Sequence, residues 1–205
     1  TDVTKNYMVT TTPGELHITA VEIANYVSLS TEDTEGTYNG EAYVAKAAKA
    51  TPKGTGSVEG LTIEYSLTKA EGSWVTDQTT LTRTEAGTTT VYVRVSGKNY
   101  DGYVEGKQEI KVSQRPITIT GDGWKTDQAY TGTEYRTERY NPEEPNQDNN
   151  RGLVAGQRVD GITYLLSGTE AGDYTGAFTG DVKILSGETD VTKNYMVTTT
   201  PGELH

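Results

Sequence analysis

The chain has 205 residues, with 29 Asp and Glu against 18 Lys and Arg, and its formal net charge is −11. This acidic balance argues against nucleic-acid binding, which needs clustered Lys and Arg. The sequence contains no amphipathic stretch rich in Lys and Arg of the kind that binds a membrane surface, so we expect no membrane insertion. The absence of cysteine excludes disulfides and thiolate metal sites. Fourteen Tyr, together with abundant Thr and Val, favour half-buried strands over disorder.

The first seventeen residues, TDVTKNYMVTTTPGELH, recur without change at positions 189–205. Identity over this length predicts that the chain covers one full 188-residue period of a longer tandem array. We therefore interpret residues 1–19 as the closing strands of the preceding repeat unit. Without the rest of their sheet, residues 1–17 would expose a strand edge, so we expect them to be extended and to pair with a sheet edge of the same chain or of a neighbour.

A weaker repeat lies inside this period. Five short motifs recur in the same order: Tyr-x-Gly-x-x-Tyr at 38–43 and 130–135, x-Val-x-Gly at 57–60 and 153–156, Ile-x-Tyr at 63–65 and 162–164, Thr-Glu-Ala-Gly at 84–87 and 169–172, and Lys-Asn-Tyr at 98–100 and 193–195. The motifs predict two diverged domains, the first at residues 20–113 and the second at 114–205. Gln114, Arg115 and Pro116 are predicted to form the hinge, because Pro restricts its own backbone and that of the preceding residue.

Apolar residues alternate with polar ones along both copies. Val91, Val93 and Val95 alternate with Tyr92 and Arg94, a period of two that predicts strands with one buried face. Frequent Gly-containing turns favour an all-β fold of two tandem sandwich domains over alternating strands and helices. Residues 41–50 are predicted to be strand. Residues 69–83, which the second copy lacks, are predicted to form an extra hairpin or a long loop.

The closing segment Asp-Val-Thr-Lys-Asn-Tyr at 190–195, followed by Gly-Glu-Leu at 202–204, resembles the ending of bacterial Ig-like (MBG-type) repeats, DVT-x-NY…G-x-L-x-IT. The segments at 90–95, 152–156 and 169–172 look similar to the same family, and residues 141–150 look like an insertion. The resemblance implies immunoglobulin-like β-sandwiches in a cell-wall-linked or secreted surface adhesin of Gram-positive bacteria. It implies no catalytic residues.

Candidate site residues are few. Trp74 and Trp124 lie near turn residues and are candidate glycan contacts, because flat aromatic rings stack on sugar faces; packing in the core is the alternative. Glu143, Glu144 and Asp148 lie in an oxygen-rich segment that is a candidate calcium site, but the two prolines there favour a solvated loop and we predict no metal and no other cofactor. His17 and His205 have no accompanying nucleophile motif, so we predict no enzyme activity.

These observations predict a structural stalk or spacer repeat of a bacterial cell-surface adhesin, which projects a binding region from the cell. Its expected partners are the neighbouring repeat domains, and its expected location is extracellular, at the cell surface or cell wall. The alternative is an Ig-like module that binds a host glycan or protein.

Overall fold

A computed structural model describes residues 1–55, 58–124 and 126–205. Strand accounts for 48% of the chain and 3-10 turns for 6%, and the described residues include no α-helix. The all-β prediction is therefore confirmed. Ser57, part of one repeat motif, lies outside the described residues. None of the helical segments in the described part of the chain is long and apolar enough to cross a membrane.

Nineteen strands and four 3-10 turns follow one another along the described chain. The strands are β1 Val21–Glu22, β2 Val27–Ser30, β3 Thr34–Thr37, β4 Tyr43–Val44, β5 Lys49–Pro52, β6 Leu61–Ser66, β7 Thr82–Arg83, β8 Gly87–Gly97, β9 Tyr100–Asp101, β10 Val104–Ser113, β11 Arg115–Gly121, β12 Tyr135–Thr137, β13 Tyr140–Pro142, β14 Gln157–Gly168, β15 Tyr174–Thr175, β16 Ala177–Ser186, β17 Thr189–Asp190, β18 Tyr195–Thr200 and β19 Glu203–Leu204. The 3-10 turns are Thr4–Asn6, Ile23–Asn25, Gln78–Thr80 and Thr192–Asn194.

Strands β1–β10, here called the N-terminal set, are built around a four-stranded sheet in the order β3-β10-β8-β6. Its strands pair antiparallel except for β3 and β10, which are parallel. Along β8, Val91, Val93 and Val95 are fully buried, whereas Tyr92 and Arg94 are half-buried, as the alternation predicts. Leu29 of β2, Tyr43 of β4, Ala50 of β5 and Leu81, just before β7, pack against this buried face and complete the core.

Strands β11–β19, the C-terminal set, form the sheets β12-β14-β16-β17, β13-β11-β18 and β15-β19. The first strand of this set, β11, runs parallel to β18, with Arg115 opposite Tyr195. The remaining pairs are antiparallel. A cluster of Tyr164, Leu166 and Leu204 fills one end of this set.

The two sets meet at Gln114. Strand β10 ends at Ser113 and β11 begins at Arg115, so one residue separates them. Among the described residues, no strand pairing joins a residue before Gln114 to one after it. The sheets are therefore divided at this point, although the side chains of the two sets are in close contact.

Two local predictions can be compared directly with the structure. Residues 41–50 contain β4 and the first part of β5 and no helix, so the strand prediction is confirmed in part. Residues 69–83 turn back on β6, because Tyr65 and Val75 exchange backbone hydrogen bonds of 2.8 and 2.9 Å. A short return of this kind matches the predicted hairpin, and it ends in β7.

Residues 1–20 form no strand and are exposed throughout, so the expected pairing of residues 1–17 with an edge of this chain is wrong. Pairing with a neighbour stays a prediction. The segment nevertheless has the same local turn as its copy: Asp2 Oδ1 accepts the Thr4 backbone N–H at 2.9 Å, and Asp190 Oδ1 accepts that of Thr192 at the same distance. The turn therefore forms from hydrogen bonds among its own residues, whereas strand pairing needs a partner strand, and none in the described chain lies beside residues 1–20.

Candidate functional site at the junction of the two strand sets

One hydrophobic cluster is shared by the two sets. Its buried members are Tyr38 and Val112 from the N-terminal set and Ile117, Ile184, Val191 and Tyr195 from the C-terminal set. Each large apolar side chain buried in this way contributes about 1.5–3 kcal/mol relative to an exposed one. Separating the sets would expose this surface to water, so the junction stabilises one arrangement of the two sets.

Three polar side chains form a hydrogen-bonded chain inside this cluster. Tyr195 Oη accepts the backbone N–H of Val154 at 3.0 Å and donates to Gln157 Oε1 at 2.6 Å. Gln157 Nε2 donates to Tyr38 Oη at 3.0 Å. The two tyrosine rings meet edge to face with centroids 5.5 Å apart. Burial raises the pKa of Tyr195 to about 12, so its phenol remains a neutral donor at physiological pH.

Arg115, the first residue of β11, is 3% exposed and donates to four backbone carbonyls. Its Nε is 2.7 Å from Gly152 O, and its Nη2 is 2.6 Å from Arg151 O and 3.2 Å from Asn146 O. Its Nη1 reaches Tyr38 O, in the other set, at 3.4 Å. The planar guanidinium suits this role because it presents five N–H donors in fixed directions. The predicted hinge therefore contains a residue that is bonded to both sets.

At the rim of the junction, two of the repeated motifs meet. Asn194 of Lys-Asn-Tyr is 1% exposed, and its Oδ1 accepts the backbone N–H of Ala86, in Thr-Glu-Ala-Gly, at 2.9 Å. Beside it, Lys193 Nζ lies 2.7 Å from Glu85 Oε2; this pair is exposed and contributes at most about 1 kcal/mol. Gln114 Nε2 donates to Lys193 O at 3.0 Å. The sequence alone identified both motifs as repeat markers but not as contact partners.

The repeated Tyr-x-Gly-x-x-Tyr turns have matching geometry. Tyr43 Oη donates to Thr37 O at 2.6 Å, and Tyr135 Oη donates to Ala129 O at 2.9 Å, in both cases six residues earlier. The glycine of each turn has a positive φ, +86° and +72°, which L side chains rarely adopt. The two turns are therefore structurally equivalent, as the recurrence predicts.

The structure does not bring Trp74 and Trp124 together. Trp74, in the N-terminal set, is half-buried beneath Arg94, whose Cζ lies 4.2 Å from the ring centroid. Trp124, in the C-terminal set, packs edge to face on Tyr135 with centroids 5.7 Å apart. It also lines an open concavity of about 760 Å³, to which Asn141 contributes. Trp124 therefore combines packing against the core with an open concavity.

The three carboxylates of the candidate calcium segment are not assembled into a metal site. Glu143 is paired with Arg151, with Nε and Oε1 3.1 Å apart, and also accepts the Thr118 backbone N–H at 3.0 Å. The Arg151 contact holds the pKa of Glu143 below its usual value. No group of three or more His, Cys, Asp or Glu side chains suited to a metal occurs in the described residues, Glu144 and Asp148 included.

The C-terminal set also has a pocket of about 410 Å³ that sequence reasoning did not predict, here called the terminal pocket. It is lined by residues 127–130, Tyr135, residues 168–174, Leu204 and His205. His205 Nδ1 lies 2.9 Å from Asp173 Oδ1, and this contact, with a further one to Glu203, raises the pKa of the imidazole. The signal that could have located this pocket is the recurrence of the tyrosine turn and of Thr-Glu-Ala-Gly in both copies.

Comparisons with protein-family models, with curated proteins and with solved structures found no match to this chain.

Proposed function

We propose that the chain is a structural spacer repeat of a bacterial cell-surface adhesin, in which immunoglobulin-like β-sandwich domains follow one another and keep a binding region away from the cell. The domains would be the two strand sets. The resemblance to Ig-like (MBG-type) repeats and the identical seventeen-residue segments at 1–17 and 189–205 support this function. A tandem array of separately folding units gains length with each unit, which is the property that a spacer needs.

The observation that carries the proposal is the junction. Consecutive domains move freely unless their interface is large and apolar. Here a single residue connects the strands on either side, one hydrophobic cluster is shared, and Arg115 is bonded across it. Such a junction resists folding back of one domain onto the other, so added units extend the array.

The strand pairing supports the finer assignment to Ig-like sandwiches. In each set the first strand is parallel to a later one, β1 to β9 and β11 to β18, whereas neighbours such as β8 and β10 are antiparallel. Two sheets that face each other across an alternating apolar layer are expected of such domains.

The test is small-angle X-ray scattering of one and two periods. The two-period protein is residues 1–205 followed by residues 18–205 again. We expect its maximum dimension to increase nearly in proportion to the number of periods. As a control, the one-period Tyr38→Ala variant should give a broader distribution of shapes. A two-period protein no longer than one period would refute the spacer function.

A second function, binding of a glycan or host protein by an Ig-like module, is favoured by one observation, the concavity beside Trp124. If a glycan binds beside Trp124, the unmodified protein gives a signal on a glycan array and the Trp124→Ala variant loses that signal. The Trp74→Ala variant is the matched control, because Trp74 lies beneath Arg94. Absence of binding by the unmodified protein would remove this alternative for glycans.

A further inference from the structure

The N-terminal set presents a specific surface at the junction. It consists of the Tyr38–Tyr43 turn and the Thr-Glu-Ala-Gly loop at 84–87, which receive Tyr195 and Asn194. Tyr38 is only 3% exposed there. This surface is therefore a receptor for the end of the C-terminal set that contains Lys-Asn-Tyr.

The terminal pocket is built from the same parts. Tyr130 and Tyr135 belong to the equivalent turn, and the loop at 169–172 has the same four residues as the loop at 84–87. Unlike the surface at the junction, the pocket is not covered by another part of the described chain, and Tyr130 is 64% exposed. At the junction the Ala86 N–H is bound by the Asn194 oxygen, whereas the described residues provide no such acceptor for the Ala171 N–H. The pocket is thus a second copy of the receptor surface, open to solvent.

This pocket lies at the opposite end of the C-terminal set from the junction. Strand β14 begins at Gln157, in the junction, and ends at Gly168, in the terminal pocket. A strand of this length spans roughly 35 Å. Two receptor surfaces at successive positions along one chain are what a head-to-tail array requires.

The complementary surface is at the start of the N-terminal set. Strand β8 begins at Gly87, beside the junction, and ends at Gly97, just before Lys98, Asn99 and Tyr100. These three repeat the Lys-Asn-Tyr motif that docks at the junction. Asn99 is exposed, and Tyr100 lines an open cavity of about 400 Å³ together with Tyr26 and Val58.

The hydrogen bonds at the point where the chain enters each set support the equivalence of the two Lys-Asn-Tyr motifs. At the junction, the connecting residue Gln114 donates to the carbonyl of Lys193, next to Asn194. At the start of the N-terminal set, the backbone N–H of Val21 donates to the carbonyl of Asn99 at 3.4 Å. In both sets, therefore, the chain enters beside the Lys-Asn-Tyr motif.

We propose that the terminal pocket is the docking site for the N-terminal set of the next copy in the array. In that second junction Asn99 of the following copy accepts the Ala171 N–H, Lys98 pairs with Glu170, and Tyr100 packs against Tyr130. This inference rests on the proposed function, because it needs tandem copies. The inference adds to the proposed function the identity of the two surfaces that meet between successive copies.

The second junction is the weaker of the two. Its connection, from β19 to β1, contains His205 and the residues equivalent to 18–20, whereas one residue connects β10 and β11. It also has no buried arginine like Arg115, because Ile18, Thr19 and Ala20 enter the N-terminal set. The array therefore alternates a tight junction with a looser one.

The experiment uses the two-period protein, residues 1–205 followed by residues 18–205 of a further copy, so that each N-terminal set keeps its own C-terminal set. Because the chain contains no cysteine, a cysteine pair reacts specifically with a short bismaleimide cross-linker. The test pair is Glu170→Cys with Lys98→Cys in the added copy. The positive control is Glu85→Cys with Lys193→Cys, across the existing junction. The negative control pairs Glu170→Cys with Glu41→Cys in the added copy, in the turn at its far end.

We expect the test pair to cross-link within one molecule at a rate near that of the positive control and at least tenfold faster than the negative control. We also expect the added copy to raise the Tm of the C-terminal set of the first copy, followed by its Trp124 with the other tryptophans replaced by Phe, and Tyr130→Ala in the first copy to abolish this rise. Cross-linking no faster than the negative control, or only between molecules, would overturn the inference. If the test pair does not cross-link but the maximum dimension in small-angle scattering still grows with the number of periods, the spacer function stands and only the docking site is refuted. If the test pair cross-links but the two-period protein is no longer than one period, only the spacer function is refuted.

Discussion

Replacing Tyr38 by Ala tests the shared cluster most directly, because the chain contains an equivalent tyrosine outside it. Tyr38 is 3% exposed, whereas Tyr130, at the same position of the second turn, is 64% exposed. Truncating a buried aromatic ring to Ala costs about 3–5 kcal/mol through lost transfer energy and the cavity left behind. The variant also leaves the Gln157 amide without its acceptor. The exposed Tyr130→Ala control should change the free energy of unfolding by no more than about 0.5 kcal/mol.

The chain provides one tryptophan reporter in each set, Trp74 and Trp124. Urea denaturation of Trp74→Phe and Trp124→Phe backgrounds therefore follows the C-terminal and the N-terminal set separately. In the parent we expect the two transitions to coincide, because the shared cluster couples them. In the Tyr38→Ala variant both midpoints should fall and the transitions should separate.

The size of the difference between the two substitutions is the decisive result. Equal losses for Tyr38→Ala and Tyr130→Ala would show that the two sets do not share a core at the junction. A Tyr38→Phe variant refines the comparison, since it keeps the ring and removes only the acceptor of Gln157. We expect it to cost about 1 kcal/mol.

Four further outcomes are expected. Arg115→Lys keeps the charge but loses the donor to the Gly152 carbonyl, so chemical denaturation should show a loss of about 2–3 kcal/mol; a variant as stable as the parent would contradict this role. Because burial raises the pKa of Tyr195 from the unfolded value near 10 to about 12, its contribution is complete below pH 10 and lost as the pH rises through 12. The Tm should therefore fall less over this range in Tyr195→Phe than in the parent. Deleting residues 1–17, which are exposed and unpaired in this chain, should leave the melting of both sets nearly unchanged and abolish any concentration-dependent oligomer; unfolding of the N-terminal set would show that the segment is integral to it. Chelation with EDTA should leave the Tm unchanged, and a clear drop would reveal a bound cation.

The sequence predicted what depends on local pattern. Alternation identified the buried face of β8, because side chains at Val91, Val93 and Val95 must point the same way along a strand. Recurrence identified equivalent turns, whose hydrogen bonds then proved to match. Both signals come from neighbours in the chain and need no knowledge of how sheets meet.

The junction could not be predicted in this way. Asn194 and Ala86 are 108 residues apart in sequence, and no periodicity specifies which loops of two sheets will meet. The burial of Arg115 is equally hidden in the sequence, because charged residues are seldom buried. Three of its backbone acceptors, Asn146, Arg151 and Gly152, lie in or directly after the segment at 141–150 that looks like an insertion. Local pattern thus determined the strands, and long-range packing determined the site.

The parallel pairing of β11 with β18 has a consequence for tension applied along the chain. A pull on the two ends of the C-terminal set draws β11 and β18 past each other along their length, once the two-residue pairing of β19 has opened. The hydrogen bonds between β11 and β18 are then loaded in shear, so that they resist together, whereas bonds pulled open from one end of a hairpin break one after another. In the N-terminal set β3 and β10 are also parallel, and they come under the same shear once the short pairings of β1 with β9 and of β2 with β5 have opened. Each set therefore carries its own force-bearing clamp, placed between the points where the load enters and leaves.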